Sequence, residues 1–317
     1  MRIGEINRVL AVQNPACSRP EKAAAVVGWL MDSPWRDRLE VVQTQRPSET
    51  DNVQLIQNNL QAGDVVLSLG GDGLANDVFN AVQQAYETGQ VGDDEVRILP
   101  CPTGNGNDFS RSLYGGNILR GKRLRNLLEA PVTARLDGME INASDGFRKH
   151  AHSYVSVGFT GLSADNINLP DYRQRRRERG PLVWAKMLDA KQILKALDAP
   201  PFEYQNGSVE TVEAREILLA LMPRFAAGVI RLDTEPFDRK VVALELGSQA
   251  FVFKALAAIS RPWLSGRANG QPLEIKDQHK LTFFTDTHMQ YDGEPHALPA
   301  GSRISISHHR GIVPAVV

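Results

Sequence analysis

Cysteine is scarce in this sequence, which contains only Cys17 and Cys101. Two cysteines so far apart provide neither a disulfide framework nor a metal-ligating cluster. Net charge is also nearly absent, because 36 Lys and Arg residues are balanced by 37 Asp and Glu residues, which gives a formal charge of −1. Proteins that bind nucleic acid mainly by neutralising phosphates need a basic surface. We therefore expect no nucleic-acid partner.

Long hydrophobic runs are missing as well. No apolar stretch reaches the about 20 residues that a membrane-spanning helix needs, and residues 1–5 do not lead into the apolar core of a signal peptide. These features predict a cytoplasmic protein, and they leave open a peripheral contact with the inner surface of the membrane.

The chain has ample material for a folded core, with 317 residues of which 42% are hydrophobic. This length predicts two domains, with one large domain as the alternative. Up to residue 134, short apolar runs alternate with segments of helical spacing. The predicted strands are residues 9–12, 39–42, 65–69 and 98–100, and the predicted helices are residues 21–31, a helix from Thr50, and one that carries Leu74, Val78, Val82 and Ala85. Such alternation predicts an α/β domain whose mostly parallel sheet has helices on both faces.

After Ala134 the pattern changes to short alternating runs separated by Gly, Asp and Asn, which is typical of an antiparallel β domain, a sandwich or an open barrel. These runs are residues 139–141, 154–157, 217–221, 241–246, 281–284 and 304–306. Helical insertions are predicted near residues 182–197 and 250–259. We therefore predict a first domain at residues 1–134 and a β-rich domain at residues 135–317.

A glycine-rich turn, Gly70-Gly71-Asp72-Gly73, follows the predicted strand 65–69 and precedes a helix. Glycine lets the backbone turn sharply and approach a ligand, and the N–H groups at a helix N-terminus favour a phosphate. A carboxylate does not bind a bare phosphate, so Asp72 fits such a site if Mg²⁺ lies between them or if it orients a donor hydroxyl. The alternative is an ordinary strand–helix turn with an Asp near the helix start.

A second turn of the same kind follows the strand 98–100. It contains Thr103 and Asn105 as side-chain donors, Gly104 and Gly106 with no side chain, and Asp108 as a second carboxylate. Because turns after parallel strands lie at one edge of the sheet, where ligands bind, the two turns together predict a nucleotide-phosphate site.

Two further polar residues follow predicted strands at that same edge. Asn14 lies in the turn Asn14-Pro15 after the first strand, and Thr44 follows the second. We predict both as nucleotide contacts, although a proline-containing turn needs no ligand to explain it.

These turns resemble those of the diacylglycerol kinase catalytic domain family, which includes bacterial lipid kinases and sphingosine kinases. The family signature Gly-Gly-Asp-Gly followed by Asn-Glu-Val corresponds to residues 70–73 and then Asn76-Asp77-Val78. Its second turn, Pro-x-Gly-Thr-x-Asn-Asp-Phe-Ala-Arg, corresponds to residues 102–111. In the second half, Asp292-Gly293-Glu294-Pro295 is similar to the family's Asp-Gly-Glu-Pro segment, and residues 155–159 and 226–228 are looser matches.

The resemblance implies an NAD-kinase-like α/β domain followed by a β-sandwich, with ATP and a lipid meeting in a cleft between them. It implies transfer of the ATP γ-phosphoryl group to a hydroxyl of a diacylglycerol-like or sphingoid lipid. Phosphoryl transfer depends mainly on positioning and charge neutralisation. The cofactors implied are ATP and Mg²⁺.

Residue roles follow from the resemblance by position. The implied catalytic residues are Asp72, Asp108 and Asp292, with Asp292 as the general base and its segment returning to the cleft. Asp72 is also the implied ligand of Mg²⁺. The implied cofactor-binding residues are Asn14, Thr44, Gly70, Gly71, Asp72, Gly73, Asn76, Thr103, Gly104, Asn107 and Glu294. For Asp292-Gly293 a plain hairpin turn is the alternative.

Four positions depart from the family pattern, and the last two, in the substrate-side domain, concern the identity of the lipid more than the chemistry. Leu74 stands where many members have Thr, Asp77 replaces Glu, Thr160-Gly161 replaces an Asp-Ala pair, and Ala226-Ala227 replaces two glycines. The identity of the lipid is therefore not readable from the sequence.

A basic run at Arg173–Arg179 predicts either peripheral contact with anionic lipid head groups or a solvated face. Two alternatives to a lipid kinase stay open, an NAD kinase and a nucleotide-binding regulator with weak or no turnover. Formation of a homodimer is also left open.

Overall fold

The computed structural model describes residues 6–17, 19–44, 49–104, 107–115, 118–119, 122–129, 132–158, 161, 201–207, 212–214, 217–225, 230–231, 242–245 and 278–317. The chain divides into two compact units. The first comprises Met1–Asp137 and Arg310–Val317, and the second comprises Gly138–His309. The sequence pattern predicts a division after residue 134, and the contacts within the structure group residues 310–317 with the first unit.

The first unit contains a parallel sheet. Its strands are β1 (Arg8–Gln13), β2 (Leu39–Gln43), β3 (Asp64–Gly70) and β4 (Arg97–Pro102), joined by the last residues of β17 (Arg303–Val316). Their order is β2-β1-β3-β4-β17, and each described pairing among them is parallel. Every residue of β3 is buried, as expected for a strand that has neighbours on both sides and helices on both faces.

Helices alternate with these strands. They are α1 (Pro20–Met31), α2 (Glu49–Asn59), α3 (Asp72–Glu87), α4 (Asp108–Tyr114) and α5 (Arg123–Glu129). In α1, Pro20 occupies the first turn, where its missing N–H costs nothing, and Ala23, Val26 and Leu30 form the buried face. These side chains share a core with residues of β1, β3 and β4.

The second unit is antiparallel. One sheet has the order β13-β10-β7-β15-β16, with bounds β7 (Tyr154–Val157), β10 (Ile217–Ala220), β13 (Val242–Glu245), β15 (Thr287–Tyr291) and β16 (Glu294–Leu298). The other strands are β5 (Thr133–Ala143), β6 (Arg148–Ala151), β8 (Phe202–Asn206), β9 (Val212–Ala214), β14 (Gln278–Thr282) and the first residues of β17, while β11 (Arg224–Phe225) pairs with β12 (Ile230–Arg231).

Alternation places one side of each strand in the core of this unit. In β14, His279 and Leu281 are buried while Gln278 and Lys280 are exposed. A single hydrophobic cluster contains residues from strands of both sheets, among them Leu281, Val155 and Ile304. Two sheets that share one core form a sandwich, so the predicted fold class, α/β followed by antiparallel β, is confirmed.

No helix among the described residues combines the length and the apolar character needed to cross a bilayer. The predicted helices near 182–197 and 250–259, the basic run Arg173–Arg179, Thr160 and the pair Ala226-Ala227 lie outside the described residues.

His152 lies between β6 and β7, and its side chain is fully buried. Burial, together with the nearby His150, lowers the pKa of His152 from 6.5 to about 3. Between these values the unfolded chain binds a proton that the folded protein excludes. The free energy of unfolding should therefore fall as the pH drops from 6.5 towards 3, by at most about 1.4 kcal/mol per pH unit for this one group.

The variant His152→Gln should remove that contribution. Urea denaturation of the wild type and the variant at several pH values between 4 and 7 measures this contribution. The quantity to compare is the slope of the free energy of unfolding against pH, not the absolute stability. Equal slopes would mean that the pKa of His152 is the same in the folded and the unfolded protein.

Candidate functional site

The two glycine-rich turns begin side by side. Strands β3 and β4 are parallel neighbours, and Gly70, the last residue of β3, is paired with Pro102, the last residue of β4. The first turn, residues 70–73, leads directly into α3. Of the second turn, residues 103, 104 and 107 are described and precede α4, whereas Asn105 and Gly106 lie outside the described residues. Both turns therefore lie at the carboxyl edge of the sheet, where ligands of parallel α/β proteins bind.

The backbones of the two turns touch. A Cβ atom built on Gly104 would lie 2.2 Å from the Cα and 2.6 Å from the N of Gly71, distances that real Cβ atoms do not show. The space that a side chain would need at Gly104 is occupied by the first turn. Glycine at this position permits the contact between the turns.

Internal hydrogen bonds fix the second turn. Asn107 has a left-handed backbone, with φ of 53°. Its Oδ1 accepts a hydrogen bond from the N–H of Gly104 at 2.9 Å, and its Nδ2 donates to the carbonyl of Gly104 at 2.7 Å. Buried Thr103 donates from Oγ1 to the carbonyl of Gly70 at 3.3 Å. The side chains of both predicted contact residues thus hold the turn in shape and join it to the first.

Asp72 links the first turn to the helix that follows the second. Its Oδ2 accepts the N–H of Asp108 at 3.1 Å, and its Oδ1 accepts the N–H of Phe109 at 3.0 Å. These two residues open α4, so the carboxylate satisfies backbone donors that have no partner within the helix and sits at the positive end of its dipole. Asp72 therefore acts as a cap supplied by another segment.

Burial raises the pKa of the Asp72 carboxyl, and hydrogen bonds from the N–H groups of Phe109 and Asp108 oppose that rise. The residue keeps part of its surface exposed. Behind the turns, the rings of Phe79 in α3 and Phe109 in α4 pack with centroids 4.7 Å apart. The contact between the two helix starts is thus polar at the edge of the sheet and apolar behind it.

Asp108 and Asn76 lie in the same region of the first unit. Asp108 is the first residue of α4 and is buried. Asn76 is buried in α3, where Asn80 Nδ2 donates to its carbonyl at 2.9 Å and to its Oδ1 at 3.1 Å. The side chain of Asn76 therefore accepts a hydrogen bond from the next turn of its own helix.

Asn14 and Thr44 lie at the same edge, as predicted. The N–H of Asn14 donates to the carbonyl of Leu69, the residue before the first turn, at 3.3 Å. Its Oδ1 accepts the N–H of Ala16 at 2.9 Å, which is an Asx turn. Thr44 is buried, and its N–H donates to the carbonyl of Gln13 at 2.9 Å.

Leu74 explains the geometry around Gly70. A Cβ on Gly70 would lie 2.6 Å from Leu74 Cδ2, so the leucine side chain covers the end of β3. The leucine is buried. The departure from Thr at this position therefore replaces a hydroxyl with an apolar contact inside the turn.

Asp292 and Glu294 belong to the second unit. Asp292 lies in the turn between β15 and β16, and both of its carboxylate oxygens accept backbone N–H groups from residues 152–154. Glu294, the first residue of β16, is half-buried and pairs with Tyr291. Residues 152–154 escaped the sequence reasoning because only their backbone N–H groups take part, and no side-chain pattern indicates that.

The structure thus joins Asp72, Asp108, Thr103, Gly104 and Asn107 within the first unit. That Asp292 and Glu294 share a cleft with them stays a prediction. Among the described residues, no three His, Cys, Asp or Glu side chains come together as a metal site.

Comparison with known proteins supports the resemblance. Residues 9–136 match the model of the diacylglycerol kinase catalytic domain, a range that ends one residue before the first segment of the first unit ends. The resemblance to this family, drawn above from the glycine turns, is therefore confirmed. No curated protein matches the chain.

Solved structures share the fold across nearly the whole chain. A diacylglycerol kinase from Bacillus anthracis str. Sterne is 14% identical, with 99% of this chain and 97% of that chain covered and a TM-score of 0.58. A second protein from that organism, provisionally described as a diacylglycerol kinase, is 15% identical over 99% and 98% of the chains, with a TM-score of 0.67. An NAD kinase from Archaeoglobus fulgidus in complex with ATP is 12% identical over 98% and 93%, with a TM-score of 0.51.

Replacing Gly104 with Ala should separate the two turns, because the new methyl group meets backbone atoms that cannot rotate away. We expect the free energy of unfolding to fall by about 1–3 kcal/mol. Urea denaturation and amide exchange at residues 103–109 measure the effect.

The matched control is Gly28→Ala. A Cβ at Gly28 meets nothing within 4 Å, and the residue lies inside α1, where Ala is favoured over Gly. This variant should be more stable than the wild type by about 0.5–1 kcal/mol. Equal effects of the two substitutions would contradict the packing argument.

Proposed function

We propose, from the match of residues 9–136 to the diacylglycerol kinase catalytic domain, that this chain is an ATP-dependent lipid kinase. The reaction transfers the γ-phosphoryl group of ATP to the hydroxyl of a diacylglycerol-like or sphingoid lipid. The fold is that of a kinase, as the similarity to a diacylglycerol kinase and an NAD kinase indicates. The nucleotide and the acceptor are the parts that we infer.

The observation that carries the ATP assignment is the difference between the two helix starts. The first N–H groups of α4 already have an acceptor in Asp72. Helix α3 is capped by Gly71, which provides no side-chain hydrogen bond to the helix N-terminus. Asp72 is the first residue of α3, but its carboxylate is engaged by the N–H groups of α4. The donors and the positive dipole end of α3, beside the glycine turn, are therefore suited to a phosphate whose charge is balanced by Mg²⁺.

In this proposal the second turn supports the first. Gly104 and Thr103 contact Gly71 and Gly70, and Asp72 ties the start of α4 to the start of α3. Catalysis of phosphoryl transfer depends on holding the phosphates in place, and a displacement of about 1 Å can cost about 100-fold in rate. Asp72 acts here as a positioning residue for the phosphate site.

Magnesium enters the proposal as part of the Mg-ATP substrate. Both oxygens of Asp72 already accept backbone N–H groups, and the described residues provide no cluster of three ligating side chains. A magnesium ion here would therefore be held mainly by the nucleotide phosphates, with Asp72 as a carboxylate beside them. In kinases Mg²⁺ is typically held by one or two carboxylates together with the substrate phosphates.

The lipid acceptor rests on the family match and on the residues that follow the second turn. The sequence Asn107-Asp108-Phe109 resembles the lipid kinases, whereas the first turn is shared with NAD kinases. The NAD kinase likeness keeps NAD as the second acceptor to be tested.

The test is phosphorylation with radiolabelled Mg-ATP. Diacylglycerol, monoacylglycerol and sphingosine in mixed micelles are the lipid acceptors, and NAD is the soluble one. We expect a labelled lipid and no NADP. The variant Asp72→Asn can accept only part of the hydrogen bonds from α4, and it should lower kcat/KM for the lipid by about 100-fold.

The matched control is Asp37→Asn, at an exposed aspartate outside the turns of the same unit, which should leave kcat/KM unchanged. NADP formation would replace the proposal with an NAD kinase. ATP binding in calorimetry without transfer to any acceptor would indicate a nucleotide-binding regulator.

A further inference from the structure

We infer that the buried hydroxyl of Ser156 binds an ester carbonyl of the acceptor, so that the acceptor of the proposed reaction is a neutral glycerolipid and not a sphingoid base. The inference deepens the proposed function, because it names the class of acceptor, and it rests on that function for the reaction. Ser156 lies on β7, the middle strand of the five-stranded sheet, where it is paired with Leu218 on β10 and with Gln290 on β15.

The side chain of Ser156 belongs to the face of the sheet that points away from the core of the sandwich. Its neighbours Val155 and Val157 are members of the shared hydrophobic cluster, and successive residues of a strand point to opposite faces of the sheet. Ser156 therefore lies on the other face, together with its pairing partners Leu218 and Gln290. That face is buried too, because Ser156 has no exposed surface and its two partners are 1% and 6% exposed.

The hydroxyl of Ser156 is a buried polar group that lacks a partner in the described part of the chain. Its Oγ is buried and makes no hydrogen bond to any residue that the structure describes. Buried hydroxyl groups are nearly always hydrogen-bonded, and one that is left unpaired destabilises the folded protein. A polar group of a ligand, bound against this face of the sheet, would provide the missing hydrogen bond.

The position of Ser156 relates it to the acceptor side of the proposed reaction, where the family resemblance assigns Asp292 as general base for the acceptor hydroxyl. Tyr154 lies two residues before Ser156 on the same face. Its N–H donates to Asp292 Oδ1 at 2.8 Å, and its carbonyl accepts the N–H of Asp292 at 3.0 Å. The Tyr154 hydroxyl lies beside the turn, 3.6 Å from a Cβ built on Gly293. Because a strand rises about 3.3 Å per residue, Ser156 is about 7 Å farther along β7 than Tyr154.

The chemistry of this face fits an ester. In a diacylglycerol the free hydroxyl and the nearest ester are on neighbouring carbons, so an acceptor whose hydroxyl is bound at the Asp292 turn can extend an ester carbonyl along β7. A serine hydroxyl donates a hydrogen bond to such a carbonyl. The residues around Ser156 on this face, namely Tyr154, Leu218 and Gln290, are uncharged. The ammonium group of a sphingoid base would lose its hydration beside them with no counter-ion among them.

The test compares two acceptors that differ in their carbonyl groups. Dioctanoylglycerol and the corresponding dioctyl ether of glycerol present the same free hydroxyl, but only the diester has carbonyls. In mixed micelles with Mg-ATP, we expect the wild type to have a kcat/KM for the diester at least about tenfold above that for the diether, and to phosphorylate sphingosine least. The variant Ser156→Ala should lower kcat/KM for the diester to the value for the diether and leave the diether unchanged.

The matched control is Ser68→Ala. Ser68 lies in β3 of the first unit, is 1% exposed, and its Oγ also has no hydrogen-bond partner among the described residues. This variant should keep the preference for the diester. Neither substitution removes a hydrogen bond that the structure describes, so neither should lower the melting temperature. A fall for Ser156→Ala alone would mean that its hydroxyl has a partner within the protein, and the inference would be wrong.

Binding without turnover separates this inference from the proposed function. The diester, added without nucleotide, should raise the melting temperature of the wild type more than the diether does, and this difference should vanish in Ser156→Ala. Selective binding of the diester without phosphorylation would refute the kinase proposal while the ester-binding role of Ser156 stands. Equal treatment of diester and diether by the wild type, or a preference that survives Ser156→Ala, overturns the inference and leaves an internal water as the partner of the hydroxyl.

Discussion

The edge of the first unit at which we propose the phosphate site depends on a contact between two backbones, that of Gly71 with Gly104. Parallel pairing of β3 and β4 starts both turns at the same level, and the absence of a Cβ at residue 104 lets them touch. Asp72 then holds the start of α4 against the start of α3. A phosphate site made of backbone N–H groups needs this rigidity, because N–H groups cannot be re-aimed independently of the chain.

Two of the aspartates that the sequence presents as catalytic share one device. Asp72 and Asp292 each follow or precede glycine in a turn, and each places its carboxylate on the N–H groups of a different segment of its own unit. Glycine provides the turn and the carboxylate joins that turn to a neighbouring segment. An Asp beside Gly in a turn is thus explained by backbone architecture before any ligand is considered.

The sequence predicted what depends on local pattern. Short apolar runs predicted β1 to β4, and the alternation of apolar and polar residues indicated strands that overlap β14 and β17. The pattern missed β16, because Pro295 argues against a strand. The structure tolerates this proline because β16 is the edge strand of its sheet. The sequence also contains no sign of the hydrogen bonds that Asp292 accepts, because the donors are 138 to 140 residues away in the chain and are backbone N–H groups.

The difference between the starts of α3 and α4 follows from the hydrogen bonds that Asp72 accepts from α4. Once Asp72 occupies the first N–H groups of α4, a second anion near that helix start would meet a carboxylate at short range, and like charges repel. Asp72 is itself the first residue of α3, but both of its carboxylate oxygens accept N–H groups of α4, and the cap residue of α3, Gly71, has no side chain. Asp72 therefore makes the two turns unequal. In the site that we propose, the first turn receives the phosphates and the second, whose Thr103 and Asn107 make internal hydrogen bonds, supports it.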